Sequence, residues 1–171
     1  MTFFALDFET TGLDSTIGRV VEIGAIRFRL ENELCVEEAS LSCLVNPEMP
    51  IPHQAKAIHG ISDRDVAGAP AFCRVAQTLL ALAADAVIVA HNVRFDLSFL
   101  DAELSRAGMR RPEARTEDTV ALAKRAFPGR ASYGLEAIAT ALGIDTGYSH
   151  RALDDARTCM LLYFACARQL R

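Results

Sequence analysis

The chain has little that would cross-link it or tie it to a membrane. Its five cysteines, Cys35, Cys43, Cys73, Cys159 and Cys166, include no pair at C-x-x-C spacing, and their number is odd in a chain of 171 residues. This excludes a disulfide framework and a cysteine zinc site, and points to reduced, mostly buried thiols in a reducing compartment. Cys159 and Cys166 lie seven apart on a predicted helix, which puts both on its core face. The longest apolar stretch, Leu79 to Ala90, is broken by Asp85 and is too short to span a bilayer. Asp7 interrupts the first apolar run too early for a signal-peptide core. The expectation is a cytoplasmic protein with no membrane partner. No internal repeat, low-complexity tract or dividing linker is present, so residues 1–171 read as one domain. With 51% apolar residues the chain can bury a packed core, which excludes disorder.

Excess positive charge is also missing. The net charge is −4, which by itself argues against a nucleic-acid partner. The distribution says more than the sum. Residues 1–90 carry 6 Lys and Arg against 12 Asp and Glu, whereas residues 91–171 carry 12 against 10. Two divalent cations held by four carboxylates would cancel the deficit and become the largest local charges, so an acidic chain can still handle a polyanion.

Apolar runs predict strands over Phe3–Phe8, Arg19–Leu30, Glu33–Val45 and Ala86–Ala90, with a short strand near Arg115–Glu117. Pro47, Pro50 and Pro52 end strand structure after the third. Helices are expected over 54–59, over Ala71–Ala84 with Pro70 in its first turn, and over Arg94–Ala107, stopped by Gly108. Further helices are expected over Asp118–Phe127, over Ser132–Leu142 with Ser132 as N-cap, and from His150 to Arg171. This order predicts an α/β fold, a mixed sheet with helices on its faces.

Three acidic clusters stand out: Asp7-Phe8-Glu9-Thr10-Thr11-Gly12, His91-Asn92-Val93-Arg94-Phe95-Asp96 and His150-Arg151-Ala152-Leu153-Asp154-Asp155. Asp7 and Glu9, at i and i+2 on a strand, project from one face and repel each other unless a cation sits between them; read alone, they also fit a strand end protruding into solvent, or Glu9 as a helix cap. Read alone, Asp96 fits an acid placed on a helix dipole, and His91 and Asn92 fit a loop at a strand end. Read alone, His150 and the adjacent acids Asp154 and Asp155 fit capping of the last helix. Together the clusters offer at least four carboxylates and an imidazole, an inventory that suits two divalent cations and a general base for cutting a phosphodiester bond.

In this order the clusters resemble the signature motifs of the DEDDh 3′–5′ exonucleases, the proofreading epsilon subunits of bacterial DNA polymerase III among them. His59-Gly60-Ile61 is similar to the segment of that family that meets the terminal nucleotide. The resemblance covers nearly the whole chain. It implies a ribonuclease H-like fold with a five-stranded sheet and helices on both faces, and a single exonuclease domain over 1–171. It implies that Asp7, Glu9, Asp96 and Asp155 hold two Mg²⁺ or Mn²⁺ ions, with His150 as general base. Thr10, Gly12, His59, Asn92 and Phe95 would border the 3′-terminal nucleotide, although Phe95 also fits core packing. The implied substrate is a single-stranded or frayed DNA 3′ end, the product a nucleoside 5′-monophosphate, and a DNA polymerase a possible partner.

Two other readings stay open. One is an exoribonuclease trimming RNA 3′ ends, since discrimination rests on 2′-OH contacts that a sequence does not display. The other, of a different class, is a non-catalytic polymerase-associated module. Gln77–Leu82 loosely resembles a sliding-clamp-binding peptide, with core packing of an apolar helix the better explanation. Arg94, Arg106, Arg110, Arg111, Arg115 and Arg130 read either as phosphate contacts or as a solvated surface.

Overall fold

A five-stranded sheet in the order β3-β2-β1-β4-β5 organises the computed structural model, which describes residues 1–31, 34–147 and 150–170. Strands β1 (Thr2–Thr10), β2 (Val20–Glu31) and β3 (Leu34–Leu44) form an antiparallel meander, and β4 (Val87–Ala90) and β5 (Thr116–Asp118) add in parallel beside β1. Helices α1 (His53–His59), α2 (Asp63–Val66) and α3 (Phe72–Ala83) precede β4. Helix α4 (Val93–Arg106) links β4 to β5, and α5 (Thr119–Ala126), α6 (Leu135–Ala141) and α7 (Ala152–Gln169) follow.

Side chains alternate across a strand, and β1 uses both faces for the core. Phe4, Leu6 and Phe8 pack with Phe72, Leu79, Phe99 and Leu100 of α3 and α4. Phe3 and Ala5 pack on the other face with Ala156, Cys159 and Met160 of α7. Helices therefore cover both faces, as expected. Emptying one such site, for example Phe4→Ala, costs about 3–5 kcal/mol. The same alternation puts Asp7 and Glu9 on the α7 face, beyond Phe3 and Ala5. Cys159 and Cys166 are both buried in α7, whereas Cys35 and Cys43 are half-buried and Cys73 is exposed; all five are free thiols.

Several expectations need correction. Ser132 does not cap α6: its hydroxyl accepts from the Gly134 N–H, and Gly134 is the N-cap of a helix that begins at Leu135. Asp118 lies before α5 and caps it, its carboxylate accepting the Val120 N–H. Pro70 precedes the first turn of α3; its carbonyl accepts the N–H of Asn46. His150 lies outside α7, with left-handed backbone (φ 62°) that a helix excludes. The short helix α2 was not expected; Ser62 and Asp65 close it with a capping box. Glu33 and Arg171, expected at element ends, lie outside the described residues.

Candidate active site

The three motifs meet at one end of the sheet. Motif one ends β1, motif two spans the β4–α4 junction, and motif three lies at the start of α7. A cavity of about 420 Å³ is lined by Asp7, Glu9, His91, His150, Asp155 and the first residues of α6. Glu9, His150 and Asp155 each offer a ligand atom within 4.8 Å of the others, close enough to hold one metal ion. His150, expected as a base, thus stands among potential ligands. Its backbone N–H donates to Asp155 Oδ2 at 3.0 Å. Asp96, 3% exposed, accepts the Phe8 N–H at 3.2 Å, which ties α4 to the strand bearing Asp7 and Glu9.

The electrostatics are those of crowded acids. Burial pushes Asp7 well above the ordinary carboxylate range, reinforced by Asp96, Asp155, Glu9 and Glu22. Burial is also the largest cause of the rise of Glu9 to about 7, with Asp155 and Glu22 adding to it and Arg151 opposing. Asp96 rises to about 8, again mainly through burial, opposed by the hydrogen bond from Phe8. Asp155 rises to about 6 for the same reason. Such a set is costly as bare anions and relaxes when divalent cations enter. Oxygen-rich donors with one imidazole suit hard or borderline divalent ions.

A second cavity of about 420 Å³ adjoins the first through Phe8 and Glu9. Thr10, Gly12, His59 and Phe95 line it, together with Leu13 and Ile58, which sequence reasoning missed. Leu13 and Ile58 are 87% and 58% exposed. An apolar side chain left in water at a cavity mouth is the available signal, and it shows only once the cavity is known. His59 Nδ1 accepts the Ile61 N–H; burial lowers the pKa of the ring, opposed by the Thr10 backbone, and the buried Nε2 makes no close hydrogen bond among the described residues. Phe95 also packs on Phe99 with ring centres 5.0 Å apart, in keeping with core packing. The loop between Thr10 and Val20 is pinned from behind: Arg106 donates to the carbonyls of Ser15 and Thr16, and Arg19 pairs with buried Glu103 at 2.8 Å.

Asn92 lines neither cavity. It is the N-cap of α4 in left-handed backbone (φ 70°), and its N–H donates to Asp118 Oδ1 at 3.3 Å. His91 is a pin: its Nε2 donates to the Tyr133 carbonyl and its Nδ1 lies against the Thr119 hydroxyl, each at 2.9 Å. Burial lowers its pKa, in keeping with a neutral ring. Glu22, Asp118, Gly24 and Arg151 were also missed. A lone acid in Val20-Val21-Glu22-Ile23-Gly24, and a glycine inside a strand, were the signals.

Of the six arginines, Arg106 and Arg111 are engaged by Glu103 and Asp101, Arg115 approaches Glu117, and Arg130 lies over the Phe127 ring. Arg94 and Arg110 are exposed. In Gln77–Leu82, Leu79 is buried within α3, as core packing requires.

The exonuclease family model matches residues 4–163. DNA polymerase III subunit epsilon of Treponema pallidum is 37% identical over 165 residues, covering 95% of this chain and 75% of that protein. The 3′-5′ exonuclease DinG of Bacillus subtilis is 34% identical over 170 residues, 99% of this chain and 18% of the relative. Among solved structures, Exonuclease X in complex with 5′ overhanging duplex DNA superposes with a TM-score of 0.67 at 27% identity, covering 95% of this chain and 90% of that one. E. coli Exonuclease I in complex with a dT13 oligonucleotide gives 0.81 at 20% identity, over 95% of this chain and 40% of the other, a likeness of fold.

Proposed function

Because the chain belongs to the exonuclease family, we propose that residues 1–171 act as one metal-dependent 3′–5′ exonuclease domain. It hydrolyses single-stranded or frayed DNA 3′ ends to nucleoside 5′-monophosphates, in proofreading or repair. The observation that carries this reading is the convergence of Glu9, Asp155 and His150 within ion-binding range, beside Asp7 and Asp96, whose pKa values rise together with those of the other two acids.

Asp7, Glu9, Asp96 and Asp155 would hold two divalent cations, Mg²⁺ or Mn²⁺. Bound there, such cations would supply an activated water and charge neutralisation at phosphorus. His150, outside the helix and exposed, would accept a proton from the attacking water at an imidazole nitrogen. The apolar cavity receives the terminal nucleoside: Phe95 and Leu13 meet the base, a sequence-tolerant contact, and His59 Nε2 supplies a polar partner. Asn92 contributes by holding the start of α4. A polymerase partner is supported by the epsilon relatives. Five free thiols support a cytoplasmic setting, and no helix among the described residues is long and apolar enough to cross a membrane.

The test is a nuclease assay on 5′-labelled strands of DNA and RNA, with free or blocked 3′ ends and with Mg²⁺, Mn²⁺ or excess chelator. The expected result is stepwise shortening of free-ended DNA that stops in chelator. Activity undiminished in chelator sinks the metal mechanism. Faster trimming of RNA reassigns the substrate. No hydrolysis of any strand with either ion leaves a non-catalytic module.

A further inference from the structure

Glu22 is a carboxylate at 1% exposure inside the sheet, a costly position unless its charge is paired and its oxygens are hydrogen-bonded. Both conditions are met. Arg151 reaches it with Nη2 at 2.7 Å and Nε at 3.1 and 3.3 Å, and the Ala152 N–H donates to it at 3.1 Å. In the β1–β2 ladder Glu22 stands opposite Glu9, and Gly24 stands opposite Asp7. Gly24 lets the Ala152 backbone rest directly on the strand, in space that a β-carbon would fill. The strand paired to the first motif therefore grips the turn that carries the third. His150 precedes Arg151 immediately, and Asp155 follows within the first turn of α7.

We propose that Glu22 and Arg151 are a positioning pair for hydrolysis. Their clasp sets the turn at residues 150–152 so that His150 and Asp155 reach Glu9. Neither residue touches the reacting atoms. A net contribution to stability is not what such a pair provides best, since buried ion pairs seldom outperform apolar replacements. Fixed direction is, because a misplacement of about 1 Å at a reacting group costs on the order of 100-fold in rate. The Arg151 side chain is 54% exposed, so the core does not depend on it. The inference rests on the exonuclease reading for its role in hydrolysis; the placing of His150 and Asp155 against Glu9 is geometric and is read by Mn²⁺ affinity.

The experiment compares Arg151→Met, Arg151→Lys, Glu22→Gln and the double variant Glu22→Gln/Arg151→Met. The readouts are thermal unfolding, kcat and KM on single-stranded DNA, and Mn²⁺ affinity by calorimetry. Arg151→Met is expected to fold, with kcat and Mn²⁺ affinity each reduced about 10- to 100-fold, in the range for groups that orient metal ligands, and KM for DNA little changed. Arg151→Lys recovers part of the loss. The double variant loses no more than the worse single, because both changes break one interaction. Wild-type kcat and Mn²⁺ affinity in folded Arg151→Met overturn the proposal, as do fully additive losses. A raised KM at constant kcat also overturns it, by making Arg151 a substrate contact. If Glu22→Gln fails to fold, the Arg151 variants decide alone. If the wild type cleaves nothing, the exonuclease reading falls, and the Mn²⁺ titrations still decide the clasp.

Discussion

Asp155 accepts a hydrogen bond from the backbone N–H of His150, with Oδ2 3.0 Å from the nitrogen. One carboxylate thus holds the turn that bears the imidazole and lies within ion-binding range of Glu9. The two duties separate on mutation. Asp155→Asn keeps an oxygen to accept the N–H and loses the charge. The expected outcome is an intact thermal transition with hydrolysis reduced at least about 100-fold, beyond the range for groups that merely orient ligands. Asp154→Asn is the contrast: that carboxylate approaches Arg157 at 3.7 Å on the flank of α7, and most activity should survive. Equal losses from the two changes would contradict the division of roles. Activity assays beside circular-dichroism melts make the comparison.

Crowded acids give the metal-free protein an unusual pH dependence. Glu9, Asp155 and Asp96 titrate near 7, 6 and 8 when folded, each raised chiefly by burial. Unfolded, they titrate near ordinary carboxylate values of about 4. Between those limits the folded state binds more protons than the unfolded state, so stability falls as pH rises. In chelator, Tm is expected to decline from about pH 4 to about pH 8 as the three groups ionise. Saturating Mg²⁺ should flatten the decline, because bound cations offset the repulsion. Scanning calorimetry across that range, with and without Mg²⁺, is the check. A Tm that climbs through the window in chelator would mean the acids are not buried as the fold places them.

How much of this was legible depends on how local each signal is. The strands announced themselves through runs such as Phe3-Phe4-Ala5-Leu6, because a strand buried on both faces needs apolar residues at every position. The i, i+2 pair Asp7 and Glu9 was readable from the pleat alone. Ser132 misled because a hydroxyl near a helix start can serve a turn as readily as a cap. Four-residue α2 is too short to carry a periodicity. The partners of Glu22 lie some 130 positions away in Arg151 and Ala152, and no window along the sequence joins them. The second cavity was only half legible: Thr10, Gly12, His59 and Phe95 came with the resemblance, whereas Leu13 and Ile58 are defined by what the fold brings alongside them.

Leu13 offers a clean test of that cavity. Its side chain is 87% exposed at the cavity rim, so Leu13→Ala removes almost no buried contact and should leave Tm within experimental scatter. If a terminal base covers it during binding, the lost apolar contact is worth up to about 1.5 kcal/mol. KM for single-stranded DNA should then rise by up to about tenfold with kcat little changed. Steady-state kinetics on a short oligonucleotide separates the two parameters. A KM identical to wild type would place the nucleotide elsewhere.

Gly24 makes the strongest structural prediction. It lies in the interior of β2, opposite Asp7, and a β-carbon there would overlap the carbonyl of Ala152 and the peptide nitrogen of Leu153. Backbone cannot swing aside as a long side chain can, so Gly24→Ala must push the start of α7 off the sheet. Overpacking of this kind costs about 1–3 kcal/mol, and for a chain of this length each kcal/mol shifts Tm by roughly 2–4 °C. The displaced turn carries His150 and Asp155, so hydrolysis should fall even at temperatures where the variant remains folded. Gly68→Ala controls for composition, since no atom lies within 4 Å of the β-carbon it would add, and it should match the wild type in both respects. If Gly24→Ala melts lower yet cleaves at the wild-type rate when folded, contact between α7 and β2 supports the fold without setting the geometry of the site.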